Sequence, residues 1–299
     1  MRGQRLQRAA ATAQALTTMS LPDRYCVMGN PIAHSRSPRI HTLFAQLTDQ
    51  ALVYEAELVA LDGFDAALRH LVQAGTRGMN VTVPFKLDAA RLADSRSERV
   101  LRAGAANTLV VGADGRIHAD NTDGLGLVAD IVRNAGVALA GQRVLLLGAG
   151  GAAAGALAPL MAQAPALLVV CNRTHAKAQD LVDQHADLVQ GSATQLQAVE
   201  AGALDGLFDV VINATASSLQ GAAIPVPGAL LRAGALAYDM MYGPAAQPFL
   251  QWAAQHGVQG RDGLGMLVEQ AAEAFALWRG VRPPSQPVLA QLRSELAAH

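Results

Sequence analysis

The stretch RVLLLGAGGAAAGAL, residues 143–157, narrows the possible folds more than any other part of the chain. Five residues of a buried strand run into Gly148, Gly150 and Ala153 at the spacing G-x-G-x-x-G/A, and an alanine-rich helix follows at once. Strand, tight glycine turn and helix start together make the opening unit of a dinucleotide-binding fold. The backbone N–H groups along Gly148, Ala149, Gly150, Gly151 and Ala152 can then approach a pyrophosphate at the positive end of the helix. A glycine turn that serves packing alone is the opposing reading, and the flanking strand and helix weigh against it.

Three more strand-like runs follow with helices between them: LLVVCNRT (167–174), FDVVINAT (208–215) and ALAYDMMY (235–242). Strands alternating with helices predict a doubly wound parallel sheet. The upstream part reads differently. RYCVMGN (24–30) is a strand ending in a glycine turn. SPRIHTLFAQL then places Ile40, Leu43, Phe44 and Leu47 on one helical face, with Ser37 as the expected N-cap and Pro38 at the first helical position. A strand from Leu52 to Leu58, a helix ending near Gly75, a strand over 78–83, and a hairpin from NTLVV (107–111) and IHAD (117–120) complete it. A helix is expected over 124–134. Near the C-terminus, Leu267, Ala271, Phe275 and Trp278 share a helical face that is expected to pack back on the first region. The resulting division is 24–122 with 264–299, and 123–263, after an extension of residues 1–23 expected to be disordered. Glycines at 124, 126, 263 and 265 mark the two crossings, as tight turns or as hinge points.

Composition narrows the function. Net charge is −1 with no basic stripe, which argues against nucleic acid, and no apolar run is long enough to span a membrane. Cys26 and Cys171 make neither a disulfide framework nor a metal spacing, which suits a reducing, cytoplasmic setting. His34 and His41 have no metal-like partners, so no metal is expected. Where an NAD enzyme places an acid after the second strand, this chain has Asn172-Arg173-Thr174, with Lys177 a turn later. Cations and a hydroxyl there suit a ribose 2′-phosphate, so NADP is expected over NAD.

Lys86 and Asp123 are the candidate acid–base groups. Lys86 follows VTVPF at a strand end, and Asp123 lies in DNTDG. Proton transfer near neutral pH asks for a partly desolvated lysine with a carboxylate to orient it. A structural salt bridge fits the spacing equally well.

GNPIAHSRSP (29–38), NVTVPFK (80–86), GAANTL (104–109), DNTDG (120–124), GAGGAA (148–153), NRT (172–174) and DGLGML (262–267) occur together and in order. The chain thereby resembles the shikimate dehydrogenase family over residues 24–297. The resemblance implies an α/β chain of two parts. One is an N-terminal substrate domain, and the other a Rossmann-type NADP domain, with the C-terminal helices returning to the first. It implies NADPH-dependent, reversible reduction of 3-dehydroshikimate in aromatic amino-acid biosynthesis, by a monomer or homodimer.

Residue by residue, the resemblance implies that Lys86 is the proton donor and acceptor, paired with Asp123. Ser35 and Ser37 match the groups that hold the substrate carboxylate. Asn80, Thr82, Asn107, Asp123 and Gln270 match those around the ring hydroxyls, and Tyr242 matches the pocket mouth. Glu98, Met240 and Gly263 match positions near the nicotinamide. Departures are Lys177 for a common arginine, Ala216 for a common serine and Met241 for a common aromatic. Glu269, beside Gln270, is expected to be solvated. A quinate/shikimate dehydrogenase with broader cofactor use, and a nucleotide-binding regulatory module without catalysis, remain the alternatives.

Overall fold

The computed structural model describes residues 22–215 and 226–298. Most of the extension over residues 1–23, and Ala216, lie outside the described residues.

Two six-stranded sheets organise the chain. The first is built from β1 (Asp23–Gly29), β2 (Leu52–Leu58), β3 (Gly78–Val81), β4 (Ser95–Arg96), β5 (Thr108–Val111) and β6 (Ile117–Asp120), in the order β2-β1-β3-β5-β6-β4. Its first three strands run parallel, and β5 pairs antiparallel with both β3 and β6, so the expected hairpin is present. Helices α1 (Ser37–Leu47), α2 (Phe64–Gln73), α3 (Lys86–Leu92) and α4 (Glu98–Ala103) join these strands.

The second sheet contains β7 (Arg143–Leu147), β8 (Leu167–Cys171), β9 (Gln195–Ala198), β10 (Phe208–Asn213), β11 (Leu231–Asp239) and β12 (Gln259–Arg261) in the order β12-β11-β10-β7-β8-β9, every pair parallel. Its central strands are apolar on both faces because helices cover both. Val144, Leu146, Val170 and Ile212 meet Ala153, Ala156, Leu157 and Leu160 of α6 (Gly151–Met161) on one side. Leu145, Leu147, Val169 and Val211 meet Phe249 and Ala253 of α8 (Gln247–Gln255) on the other. Helix α7 (His175–Asp183) follows β8. Strand order reverses between β7 and β10, and ligands of such sheets bind outside the carboxyl ends of the strands at that point.

The chain crosses between the sheets through α5 (Asp123–Ala129) and returns through α9 (Leu264–Arg279), before a last helix, α10 (Ser285–Ala297). Leu264, Val268, Ala271 and Phe275 of α9 pack on Ile40, Leu43 and Phe44 of α1, so the C-terminal helix does return to the first sheet's layer. Trp278 lies against Gly78 of β3 and donates to the Leu109 carbonyl at 3.0 Å.

Four details differ from the sequence expectations. The helix expected over 124–134 is α-helical only to Ala129; Asp130–Asn134 form a π-helical turn in which Ala135 N–H donates to the Asp130 carbonyl. Strand β3 stops at Val81, and Lys86 opens a helix instead of ending a strand. Arg36, not Ser37, is the N-cap of α1, and no side chain caps it.

The crossing glycines are the fourth. None of Gly124, Gly126, Gly263 and Gly265 has a left-handed φ. A Cβ on Gly124 would lie 2.2 Å from the Gly155 carbonyl, and one on Gly126 would lie 2.7 Å from the Gln270 backbone nitrogen. A Cβ on Gly263 would lie 2.2 Å from the Met240 carbonyl, and one on Gly265 would run into the Asp130 carboxylate. At Gly124, Gly126 and Gly263 neighbouring backbone, and at Gly265 the Asp130 carboxylate, comes too close to admit a Cβ.

Candidate active site

A cleft of about 560 Å³ opens between the two sheets, and both supply its walls. From the first come Ser35, Ser37, Asn80, Thr82, Lys86 and Asn107; from the second and the crossings come Asp123, Ala152, Thr215, Met240, Tyr242, Gly263 and Gln270.

Lys86 is set by its neighbour. Phe85 is 1% exposed and stacks on Phe64 at 5.0 Å, so the backbone just before Lys86 is anchored in the first core. The Lys86 ammonium donates to Asp123 Oδ2 at 2.5 Å, the two side chains being 29% and 14% exposed. Asp123 opens α5, where its carboxylate is favoured by the helix start. Its other oxygen, Oδ1, accepts from Asn107 Nδ2 at 2.8 Å, and its own N–H donates to Asn121 Oδ1 at 3.1 Å. The Lys86–Asp123 pair is therefore partly shielded from water and oriented from behind.

Asn107 is the hub of that support. Its Nδ2 also lies 3.1 Å from Gln270 Oε1, while its Oδ1 accepts from Thr122 N–H and Thr108 Oγ1, both at 2.8 Å. Gln270 donates to the Leu267 carbonyl at 2.9 Å. Asn80 gives its amide hydrogens to the Asn107 carbonyl and to Thr108 Oγ1 and accepts from Tyr54 at 2.7 Å, which leaves one carbonyl lone pair to offer the cleft. Thr82 is half-buried and makes no side-chain hydrogen bond among the described residues. Ser35 Oγ accepts from Ser37 N–H at 3.3 Å. Burial raises the Tyr242 hydroxyl above its ordinary value, with Arg36 pulling the other way.

The glycine turn has room for a phosphate. Gly148 has φ +111° and faces the Ala214 carbonyl at the end of β10, which places the turn at the strand-order reversal. Around Gly150 and Gly151 a Cβ would meet nothing within 4 Å, and no side chain caps α6, so the first N–H groups of that helix face open space. Arg173, Thr174 and Lys177 lie at the start of α7, and neither cation has an ion pair among the described residues. Asn172 is committed to the turn, donating to the Thr174 carbonyl at 2.9 Å. This donor set fits a dinucleotide carrying an extra phosphate.

Two residues sit elsewhere than expected. Glu98 does not line the cleft: its side chain is exposed and pairs at 2.9 Å with Arg102, which also holds Asp187 through two bonds and so ties α4 to the turn after α7. Glu269, expected to be solvated, is 1% exposed and is held by Arg133, Asn134, Arg282 and Ser285. Arg282 and the start of α10 fold back over it, which its place beside Gln270 in the sequence does not reveal. His41 is fully buried against Tyr54, with ring centroids 4.2 Å apart. Arg36 lines the cleft between the two serines and was not among the sequence candidates, although its place inside HSRS could have suggested it.

Comparison with known proteins gives three family models along the chain. These are the shikimate dehydrogenase substrate binding domain over 27–109, shikimate / quinate 5-dehydrogenase over 130–221, and the shikimate 5'-dehydrogenase C-terminal domain over 263–293. The chain is 67% identical to shikimate dehydrogenase (NADP(+)) of Acidovorax ebreus strain TPSY across 92% of its own length and 98% of that protein. It is similar to an Ael1 enzyme from Pseudomonas putida, with 49% identity, a TM-score of 0.83, and 90% and 98% of the two chains covered. It is also similar to shikimate 5-dehydrogenase from Thermus thermophilus in complex with NADP(H) and shikimate, with 30% identity, a TM-score of 0.78, and coverage of 91% and 99%.

Proposed function

The chain belongs to the shikimate dehydrogenase family, and from that premise we propose how its residues reduce 3-dehydroshikimate to shikimate. It is an NADP-dependent oxidoreductase acting on a CH–OH group, in the chorismate route to aromatic amino acids. The observation that carries the residue assignment is the Lys86–Asp123 pair, half-shielded in a cleft walled by both sheets.

In the reducing direction NADPH supplies the hydride. Lys86 Nζ gives its proton to the carbonyl oxygen that becomes the alcohol, and Asp123 holds the ammonium in place and accepts from an adjacent substrate hydroxyl. In the oxidising direction neutral Lys86 takes the proton back. Asn107 keeps Asp123 oriented. Ser35 and Ser37 take the carboxylate end; Asn80, Thr82 and Gln270 take ring hydroxyls, and Tyr242 closes the mouth. Gly148 to Ala152 cradle the pyrophosphate, Arg173, Thr174 and Lys177 take the 2′-phosphate with Asn172 shaping their turn, and Met240 and Gly263 border the nicotinamide. The exposed Glu98 has its support from the resemblance alone.

The reading includes the division into 24–122 with 264–299 and 123–263, because hydride transfer needs the two reacting carbons within about 3–3.5 Å and each part holds one ligand. It also includes a cytoplasmic monomer or homodimer working on small molecules.

The test is NADP reduction, followed by absorbance, with shikimate and separately with quinate. Lys86→Ala should lower kcat by about 10²–10⁴-fold with a smaller change in KM. Near-normal kcat in that variant would defeat the assignment, and equal turnover of quinate would favour the broader enzyme.

A further inference from the structure

We propose that Arg36 is the charge partner of the substrate carboxylate and thereby selects acidic over neutral substrates; this rests on the reaction assigned above. The ionisable residues on the cleft wall are His34, Arg36, Lys86, Asp123 and Tyr242. Lys86 and Asp123 neutralise each other at 2.5 Å. Tyr242 is a phenol whose titration burial moves further up, and the Arg36 charge reaches it. Arg36 itself is half-buried at the N-cap of α1, and its guanidinium makes no hydrogen bond or ion pair among the described residues. Glu295 feels its charge, but that carboxylate is hydrogen-bonded to Arg39. The cleft wall thus carries a guanidinium with no carboxylate partner among the described residues, on the residue that stands in sequence between the two serines assigned to the anionic end of the substrate.

Physical chemistry gives that charge a task. A carboxylate leaving water for a half-shielded pocket loses hydration that two neutral hydroxyls replace only in part, while a guanidinium adds both charge and a planar fork of donors. Ser35 and Ser37 then set the direction of the carboxylate, and Arg36 sets the preference for a charged group. A neutral ester with the same ring keeps the serine contacts and a single neutral acceptor, and loses the charge-assisted fork with Arg36.

The experiment compares shikimate with methyl shikimate, which has the same ring and hydroxyls but no charge. Arg36→Gln should lower kcat/KM for shikimate by about 10- to 100-fold through KM, the range for losing one charge-assisted hydrogen bond. For methyl shikimate the same change should stay within about twofold, because no charge pair is lost. Arg36→Lys, which keeps the charge without the fork, should fall between. In the unmodified protein, added salt should raise KM for shikimate and leave methyl shikimate unaffected. These last two measurements stand even if the glutamine variant does not fold. Equal losses on both substrates, no loss on either, or a raised KM for NADP alone would overturn the proposal. If the unmodified enzyme turned over neither substrate, the assigned reaction would fall and this inference with it; normal turnover of shikimate confines any failure to Arg36.

Discussion

Replacing Gly124 by alanine tests how the two halves of the molecule are joined. In an ordinary helix the change is favourable by about 0.5–1 kcal/mol, because glycine loses more backbone entropy on folding. Here the new methyl would sit 2.2 Å from the Gly155 carbonyl, 2.7 Å from Pro159 Cγ and 3.0 Å from Ala156 Cα. Two of those neighbours are backbone, so no side chain can swing away. Helices α5 and α6 must then part by about 1 Å, and overpacking of this kind costs about 1–3 kcal/mol. Backbone on the receiving side puts the cost at the upper end, for a net loss of about 2 kcal/mol, or about 3–4 °C in Tm for a chain of this size. Asp123 precedes the substituted position, so its carboxylate moves with the helix, and misplacement of about 1 Å can reduce kcat by up to about 100-fold. Gly151→Ala is the comparison. A Cβ there meets nothing within 4 Å, so stability should hold or rise slightly while KM for NADP increases. Thermal denaturation and steady-state kinetics on both variants decide the matter. An unchanged or higher Tm for Gly124→Ala would refute the close-packing argument and return these glycines to the hinge reading.

Arg173→Asp should raise KM for NADPH far more than for NADH, since the new acid repels phosphate yet accepts from ribose hydroxyls; equal effects on both cofactors would mean the turn reads something else. Burial holds the His41 imidazole down at about 3, opposed weakly by the nearby Asn80 amide. Unfolded chains therefore take up a proton below about pH 6.5 that the folded protein refuses until about pH 3, so this residue removes about 2 kcal/mol of stability between pH 7 and pH 5. Urea midpoints at those two pH values should converge in His41→Leu, whatever that variant costs at neutral pH, and an unchanged difference would discard the assignment. Exchanging the charges of Arg102 and Asp187 together should recover part of the small Tm loss caused by reversing either one, the remainder being the contact that Glu98 loses; no recovery at all would show that the pair carries no coupling.

What the sequence determined by itself was local. The apolar run Val144 to Leu147 ahead of Gly148, and alternation elsewhere, are enough to specify strands, because a strand buried on both faces or on one needs that pattern and little else. The glycine turn, the Arg173 turn and the Lys86 and Asp123 motifs were legible for the same reason: each is a short run whose chemistry depends on immediate neighbours. Tertiary structure decided everything that depends on which distant segments meet. Gly124 and Gly126 read as hinge or turn residues, and the close packing of α6 and α9 against them at backbone distance is visible only in the fold. Glu269 looked like a solvated helix-border acid until Arg133 and Arg282 closed over it. Glu98 carried a motif match, yet Arg102 and Asp187 hold that region at a surface away from the cleft. HSRS places Arg36 beside two candidate residues, but a lone arginine between two serines is ordinary in sequence and says nothing of its charge partners. Its meaning arises only where the cleft wall leaves its charge unmatched, and Coulomb interaction depends on distance through space, with no regard for separation along the chain.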